Sequence, residues 1–149
     1  MQKFGRSVRG RPINPALADW IAAHDVLIIT ETHARDEESA RLATPAGFRP
    51  FVAARSNAGP LGEGGASVFV RDALASSVDS VQACTSFLGC ESVWVRFKGN
   101  SLTLGGKALL LGACYFCPCD SNVYARNHPA SPPAQVAERV AEHLRDTLD

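Results

Sequence analysis

The sequence lacks an excess of charge of either sign. Lys+Arg and Asp+Glu are both 15 in 149 residues, so the formal net charge is zero. That excludes a uniformly basic nucleic-acid coat, although a local basic patch is still allowed. No apolar run is long enough to cross a bilayer, so no membrane partner is expected. The basic start "MQKFGRSVRGRP" is not followed by the apolar stretch that a secretory signal needs. The five cysteines, an odd number, are therefore expected to be reduced thiols in an intracellular compartment, with nucleus and cytoplasm both open. There is no internal repeat and no low-complexity segment. No second CxxC accompanies the cluster Cys114, Cys117 and Cys119. Cys84 and Cys90 lie elsewhere, and neither His128 nor His143 has a partner at ligand spacing. No zinc is expected, because a tetrahedral site usually draws on two paired clusters. These cysteines read more plainly as small core and loop residues, with Cys114 pointing into the core.

What is present suits one globular domain with a real core: 46% of residues are hydrophobic and 20% charged. "INPALADWIAAHD" predicts a helix capped by Asn14, with Pro15 at its first position and Leu17, Trp20 and Ile21 at helical spacing. "VLIIT" follows as a short β-branched strand, apolar on both faces, which suits burial between layers. "ARDEESARLATPAG" is a polar link ended by Pro45 and Gly47, and "FRPFVAAR" is a strand. "SNAGPLGEGG" is a glycine-rich loop feeding the compact strand "ASVFVRD". "SVDSVQACTS" is a weaker strand. "ESVWVRFKG" alternates cleanly, with Val93, Val95 and Phe97 on one face and Trp94, Arg96 and Lys98 on the other. "ALLLGACYF" is the most apolar strand, and "CPCDSNVYARNHPASPP" is a long polar loop. "AQVAERVAEHLRDTL" is an amphipathic helix with Val136, Val140 and Leu144 in line. Its Glu138, Arg139, Glu142 and Arg145 make a solvated face. Strands that follow one another directly favour α+β layering over strict βαβ alternation.

Glu31 is the first candidate for chemistry. A carboxylate at the C-terminal end of a buried strand sits where sheet proteins place their sites, and it could hold Mg²⁺. A glutamate that has merely reached the solvent edge is the plainer alternative, and spacing by itself favours it. Gly64 and Gly65 before a strand permit a tight turn or a close backbone approach, or simply make a flexible loop. Tyr115 ends a core strand, where its hydroxyl could reach a phosphate or a metal-bound water. Phe116 beside it closes the core edge. His33, two residues past Glu31, is a near-site candidate or an ordinary loop histidine, and His24 is a helix-end residue.

Taken in order, these segments resemble the endonuclease/exonuclease/phosphatase superfamily. "HDVLIITETH" is similar to that family's "D-I-hydrophobic-Q-E-T" strand, and "GGASVFVR" to its double glycine opening a core strand. "ESVWVRFKG" with "LLLGACYFCP" is similar to the hairpin that ends in "hydrophobic-Y-hydrophobic-P". Four motifs in order, from Trp20 to Pro118, are more specific than any one of them. "ETH" and the double glycine most resemble the endonuclease domain of non-LTR retrotransposons. The resemblance implies a fold, the N-terminal half of a four-layer αββα sandwich: a mixed, mostly antiparallel sheet with helices on one face. It implies Glu31 as a ligand of catalytic Mg²⁺, with Mn²⁺ as the alternative ion, and Tyr115 leaning toward the scissile phosphate. It further implies DNA as partner and a metal-dependent phosphodiester hydrolase related to reverse-transcriptase-associated endonucleases. A phosphatase on a small or lipid phosphoester stays open, as does a non-catalytic interaction module of the same fold.

Two departures qualify the resemblance. "GRSVRG" aligns by Val8, Arg9 and Gly10, which puts Ser7 where the family's first strand carries an asparagine close to the metal. The family's "G-D-hydrophobic-N" strand and its Asp-His pair have no counterpart before Asp149. Residues 1–149 are therefore expected to be a partial domain, with the rest of the sandwich as its missing partner. Without the general base, little or no hydrolase activity is expected of these residues alone, together with an uncovered apolar sheet face.

Overall fold

The computed structural model describes residues 15–33, 44–54, 64–87, 90–99, 106–116 and 133–148. Their order is helix α1 (Pro15–Ala22), strands β1 (Val26–Thr30), β2 (Phe48–Ala53) and β3 (Ala66–Arg71), and a short 3-10 segment (Asp72–Ser77). Strands β4 (Val78–Phe87), β5 (Cys90–Phe97) and β6 (Leu109–Phe116) follow, and helix α2 (Pro133–Leu148) closes the chain. This is the expected α+β architecture. The segment "SVDSVQACTS", which carries few apolar residues, falls almost wholly within the ten-residue strand Val78–Phe87, because β5 pairs along it antiparallel with irregularities at Asp79 and Ser86. Asn14 and most of the polar links lie outside the described residues, as do Cys117, Cys119 and His128.

All pairings among the described strands are antiparallel and fall into two sheets, β1-β3-β2 and β4-β5-β6. The sheets face each other, with β3 over β5 and β6, β2 over β4 and β5, and β1 over β6. Strand alternation explains what lies between them. Ala53, Ala66, Val68 and Val70 of the first sheet meet Val93, Val95, Phe97 and Ala113 of the second, all buried. Full burial of a side chain such as Phe97 contributes about 1.5–3 kcal/mol. The cover is partial: Val81, which pairs with inward-facing Val95, is 42% exposed. The opposite face of the first sheet packs Leu27, Phe48 and Phe69 against Ile21 of α1, with Leu17 and Ile29 alongside.

Two findings differ from the sequence expectations. β1 is not buried on both faces: Ile28 is 48% exposed, because β1 has a neighbour on one side only among the described strands. Cys114 does not point into the core. It is exposed, because Ala113 takes the inward position and alternation turns Cys114 outward. On that outer face Trp94 lies across Gly112, where an added Cβ would collide with the indole ring.

Arg71 seats the first helix. Its Nη2 donates to the carbonyls of Ala22 at 2.8 Å and His24 at 2.7 Å, and its Nε to Asp25 Oδ1 at 2.9 Å. Those carbonyls are the acceptors that a helix C-terminus leaves unsatisfied. His24 Nδ1 stands 2.7 Å from the Trp20 carbonyl, in keeping with a helix-end role. Glu138, Arg139, Glu142 and Arg145 of α2 are exposed and Val140 is buried, as its amphipathic pattern requires. No described helix is long and apolar enough to cross a membrane.

Candidate active site at the sheet ends

The C-terminal ends of β1 and β6 and the N-terminal ends of β3 and β5 fall at one end of the two-sheet stack. Thr30 pairs with Ala66 at the end of β1, and Glu91 pairs with Tyr115 at the start of β5. Glu31 follows directly and leaves the strand conformation, with φ at +57°, a left-handed value uncommon for a residue with a side chain. His33 repeats it at +53°. Each such residue costs about 1–2 kcal/mol relative to ordinary backbone, so the surroundings must hold it.

The double glycine does the holding. Thr32 N–H donates to the Gly65 carbonyl at 3.3 Å and His33 N–H to the Gly64 carbonyl at 3.0 Å. These bonds extend the β1–β3 ladder past its regular end. Gly64 and Gly65 have φ of +75° and +90°, and a Cβ on Gly65 would come within 2.6 Å of Thr32 Oγ1. Both reasons for glycine apply here, a positive φ and a close approach. The turn also changes where residue 31 points. Thr30 lies opposite inward-facing Ala66, so strict alternation would send the next side chain outward. Instead, Tyr115, which lines up with inward-facing Ala113 two residues earlier, donates its hydroxyl to Glu31 Oε1 at 3.5 Å. Glu31 is exposed, so its carboxylate is open to solvent while one oxygen faces the phenol.

Behind this pair sits a group that the sequence pattern does not single out. Glu91 is fully buried, and its Oε2 accepts a hydrogen bond from Gly65 N–H at 3.4 Å. A buried carboxylate is costly unless it is engaged, so its place between Tyr115 and the double glycine ties it to the site's framework. Its only sequence signal is a charged residue on the same face as Val93, Val95 and Phe97. Thr32 Oγ1 is buried with no hydrogen-bond partner among the described residues. Ser7 lies outside the described residues, and His33 is held near Glu31 through its backbone.

The profile of the Endonuclease/Exonuclease/phosphatase family matches residues 5–149. The chain belongs to the endonuclease/exonuclease/phosphatase family. Its fold is accordingly that of a phosphodiester or phosphoester hydrolase. No curated protein and no solved structure matches the chain at a significant level.

Family members are generally dependent on divalent metal, so the donors present here bear on that requirement. No group of three or more His, Cys, Asp or Glu side chains comes together as a metal cage among the described residues. Mg²⁺ does not require such a cage, since it keeps several waters and takes one or two carboxylates together with substrate phosphate oxygens. An exposed hard oxygen donor on a rigid strand end suits that mode, and Glu31 is such a donor. The thiols are soft ligands and suit a different class of ion.

Proposed function

We propose that the chain carries part of a metal-dependent phosphodiester hydrolase site, with Glu31 as a magnesium ligand and Tyr115 as a catalytic hydroxyl. The observation that supports this reading best is the contact between Tyr115 Oη and Glu31 Oε1, made from two different sheets at one end of the fold. A divalent ion bound there would neutralise phosphate oxygens and stabilise the leaving oxygen. Tyr115 would orient a phosphate oxygen or a metal-bound water by hydrogen bonding, and the Gly64–Gly65 turn would keep Glu31 aimed at the same point. Ser7 and His33 are proposed to border the site.

DNA is the proposed substrate, in the manner of retrotransposon endonucleases, supported by "ETH" and by the double glycine before "ASVFVR". Turnover by residues 1–149 alone is proposed to be weak. A plasmid-nicking assay with Mg²⁺, run beside a nitrophenyl phosphoester assay, tests the reading. Slow nicking that Glu31→Gln and Tyr115→Phe both abolish supports it. Nicking that survives Glu31→Gln contradicts it, robust Glu31-dependent nicking refutes the weak turnover, and phosphoester cleavage without nicking moves the substrate to a phosphatase class.

A further inference from the structure

The reading above leaves the thiols of the second sheet without a role. Cys90 and Cys114 lie on neighbouring strands on the outer face, and their sulfurs are 3.2 Å apart. We propose that this pair is a modification site, which a hydroperoxide closes into a reversible disulfide across β5 and β6. A disulfide needs the sulfurs at about 2.05 Å, so the gap to close is only about 1.1 Å, taken up by side-chain rotation and a small approach of the two strands.

The two thiols are unequal in a way that orders the chemistry. Cys114 is exposed and Cys90 is fully buried, so a soluble oxidant meets Cys114 first. The hydrogen bond with Cys114 and burial raise the Cys90 thiol, so Cys90 holds its proton. That hydrogen bond lowers the Cys114 thiol to about 7, against the opposing effects of burial and of Glu91. A thiolate is the nucleophile in such reactions. The Cys114 thiolate attacks the peroxide, the O–O bond breaks, and a sulfenic acid forms as the leaving oxygen takes a proton to give alcohol or water. Cys90 then gives up its proton and attacks the Cys114 sulfur. The S–S bond forms, the S–O bond breaks, and water leaves. Two thiols are oxidised and one hydroperoxide is reduced.

Register makes the product reducible. Cys114 lies opposite Ser92 and Cys90 opposite Phe116, so the pair is diagonal in the ladder. Diagonal positions are farther apart than direct partners, and a bond drawn across them is strained and easily reduced. Cys84 shares this face, directly opposite Ser92, and is therefore the competing thiol among the described residues. The bond would fix the backbone on either side of Glu91 and next to Tyr115.

The test uses the full chain with Cys84, Cys117 and Cys119 changed to serine, treated with hydrogen peroxide near neutral pH. The expected result is loss of both thiols, a linked Cys90–Cys114 peptide and full recovery with dithiothreitol. Survival of both thiols, or Cys114 advancing to sulfinic acid while Cys90 stays reduced, overturns the proposal. Peptide mapping of the unaltered chain serves if the triple variant does not fold. There, Cys114 linked to Cys84, Cys117 or Cys119 in place of Cys90 overturns it as well.

Discussion

Tyr115 Oη donates to Glu31 Oε1 at 3.5 Å although 84 positions separate the two residues. The contact exists because the left-handed turn at Glu31 breaks strand alternation and brings the carboxylate round to the face that Tyr115 occupies. Strained backbone held in place at a candidate site invites a separation of stability from function. Glu31→Gly removes the left-handed penalty, so the variant should be as stable as the parent or more stable by about 1 kcal/mol. It should also lose divalent-metal binding. Thermal unfolding beside metal titration checks both, and a clearly lower Tm would show that Glu31 is not strained.

Gly65 is predicted to be irreplaceable. Its φ of +90° and the 2.6 Å approach of Thr32 Oγ1 leave no room for a methyl group. Gly65→Ala should destabilise by about 1–3 kcal/mol and loosen the backbone that fixes Glu31. Gly47, also at positive φ but with open space around it, gives the comparison: Gly47→Ala carries backbone strain without the collision and should cost less. Equal losses in denaturant titrations would contradict the packing argument.

Glu91 should separate hydrogen bonding from charge. Glu91→Gln keeps an oxygen for the Gly65 N–H and should change stability little. Glu91→Ala leaves that N–H without this acceptor and opens a cavity, a loss of about 1–3 kcal/mol from the hydrogen bond alone. Hydrogen exchange at Gly65 reads the effect locally. Faster exchange in the alanine variant and near-parent exchange in the glutamine variant are expected, and equal protection in all three would remove Glu91 from the framework.

Much of this arrangement is legible in the sequence. β-branched "VLIIT", alternating "ESVWVRF" and the proline-led α1 appear as strand, strand and helix because local periodicity decides them. Glu31 and Tyr115 are legible as strand-end polar groups. Their contact is not, because it depends on how two sheets stack and on a positive φ that no residue type at position 31 announces. Glu91 escapes a sequence reading because a charged residue at a strand start ordinarily signals solvent. Cys114 is misjudged as a core residue because "ALLLGACYF" is apolar on both faces, so its alternation carries no phase.

Cys114 should show an unusual pH profile. Its ordinary value of 9.0 is lowered to about 7 by the hydrogen bond from Cys90, with burial and Glu91 opposing. A lowered value means that the thiolate is already present above about 7 and is lost as the pH falls through that value. Alkylation of Cys114 should therefore reach half its maximal rate near pH 7 in the folded chain, and near the ordinary thiol range once Cys90 is changed to alanine, which cannot donate. Mass spectrometry of iodoacetamide-treated protein follows this. A half-maximal rate near pH 9 with Cys90 intact would contradict it.

The central claim is that Glu31 holds a divalent ion beside Tyr115. The most direct measurement is Mn²⁺-induced broadening of amide NMR signals in the full chain, since Mn²⁺ substitutes for Mg²⁺ and does not require turnover. The account predicts selective broadening at Thr32, Gly65 and Tyr115, relieved by excess Mg²⁺ and absent in Glu31→Gln. Broadening centred elsewhere, or unchanged in Glu31→Gln, would contradict it.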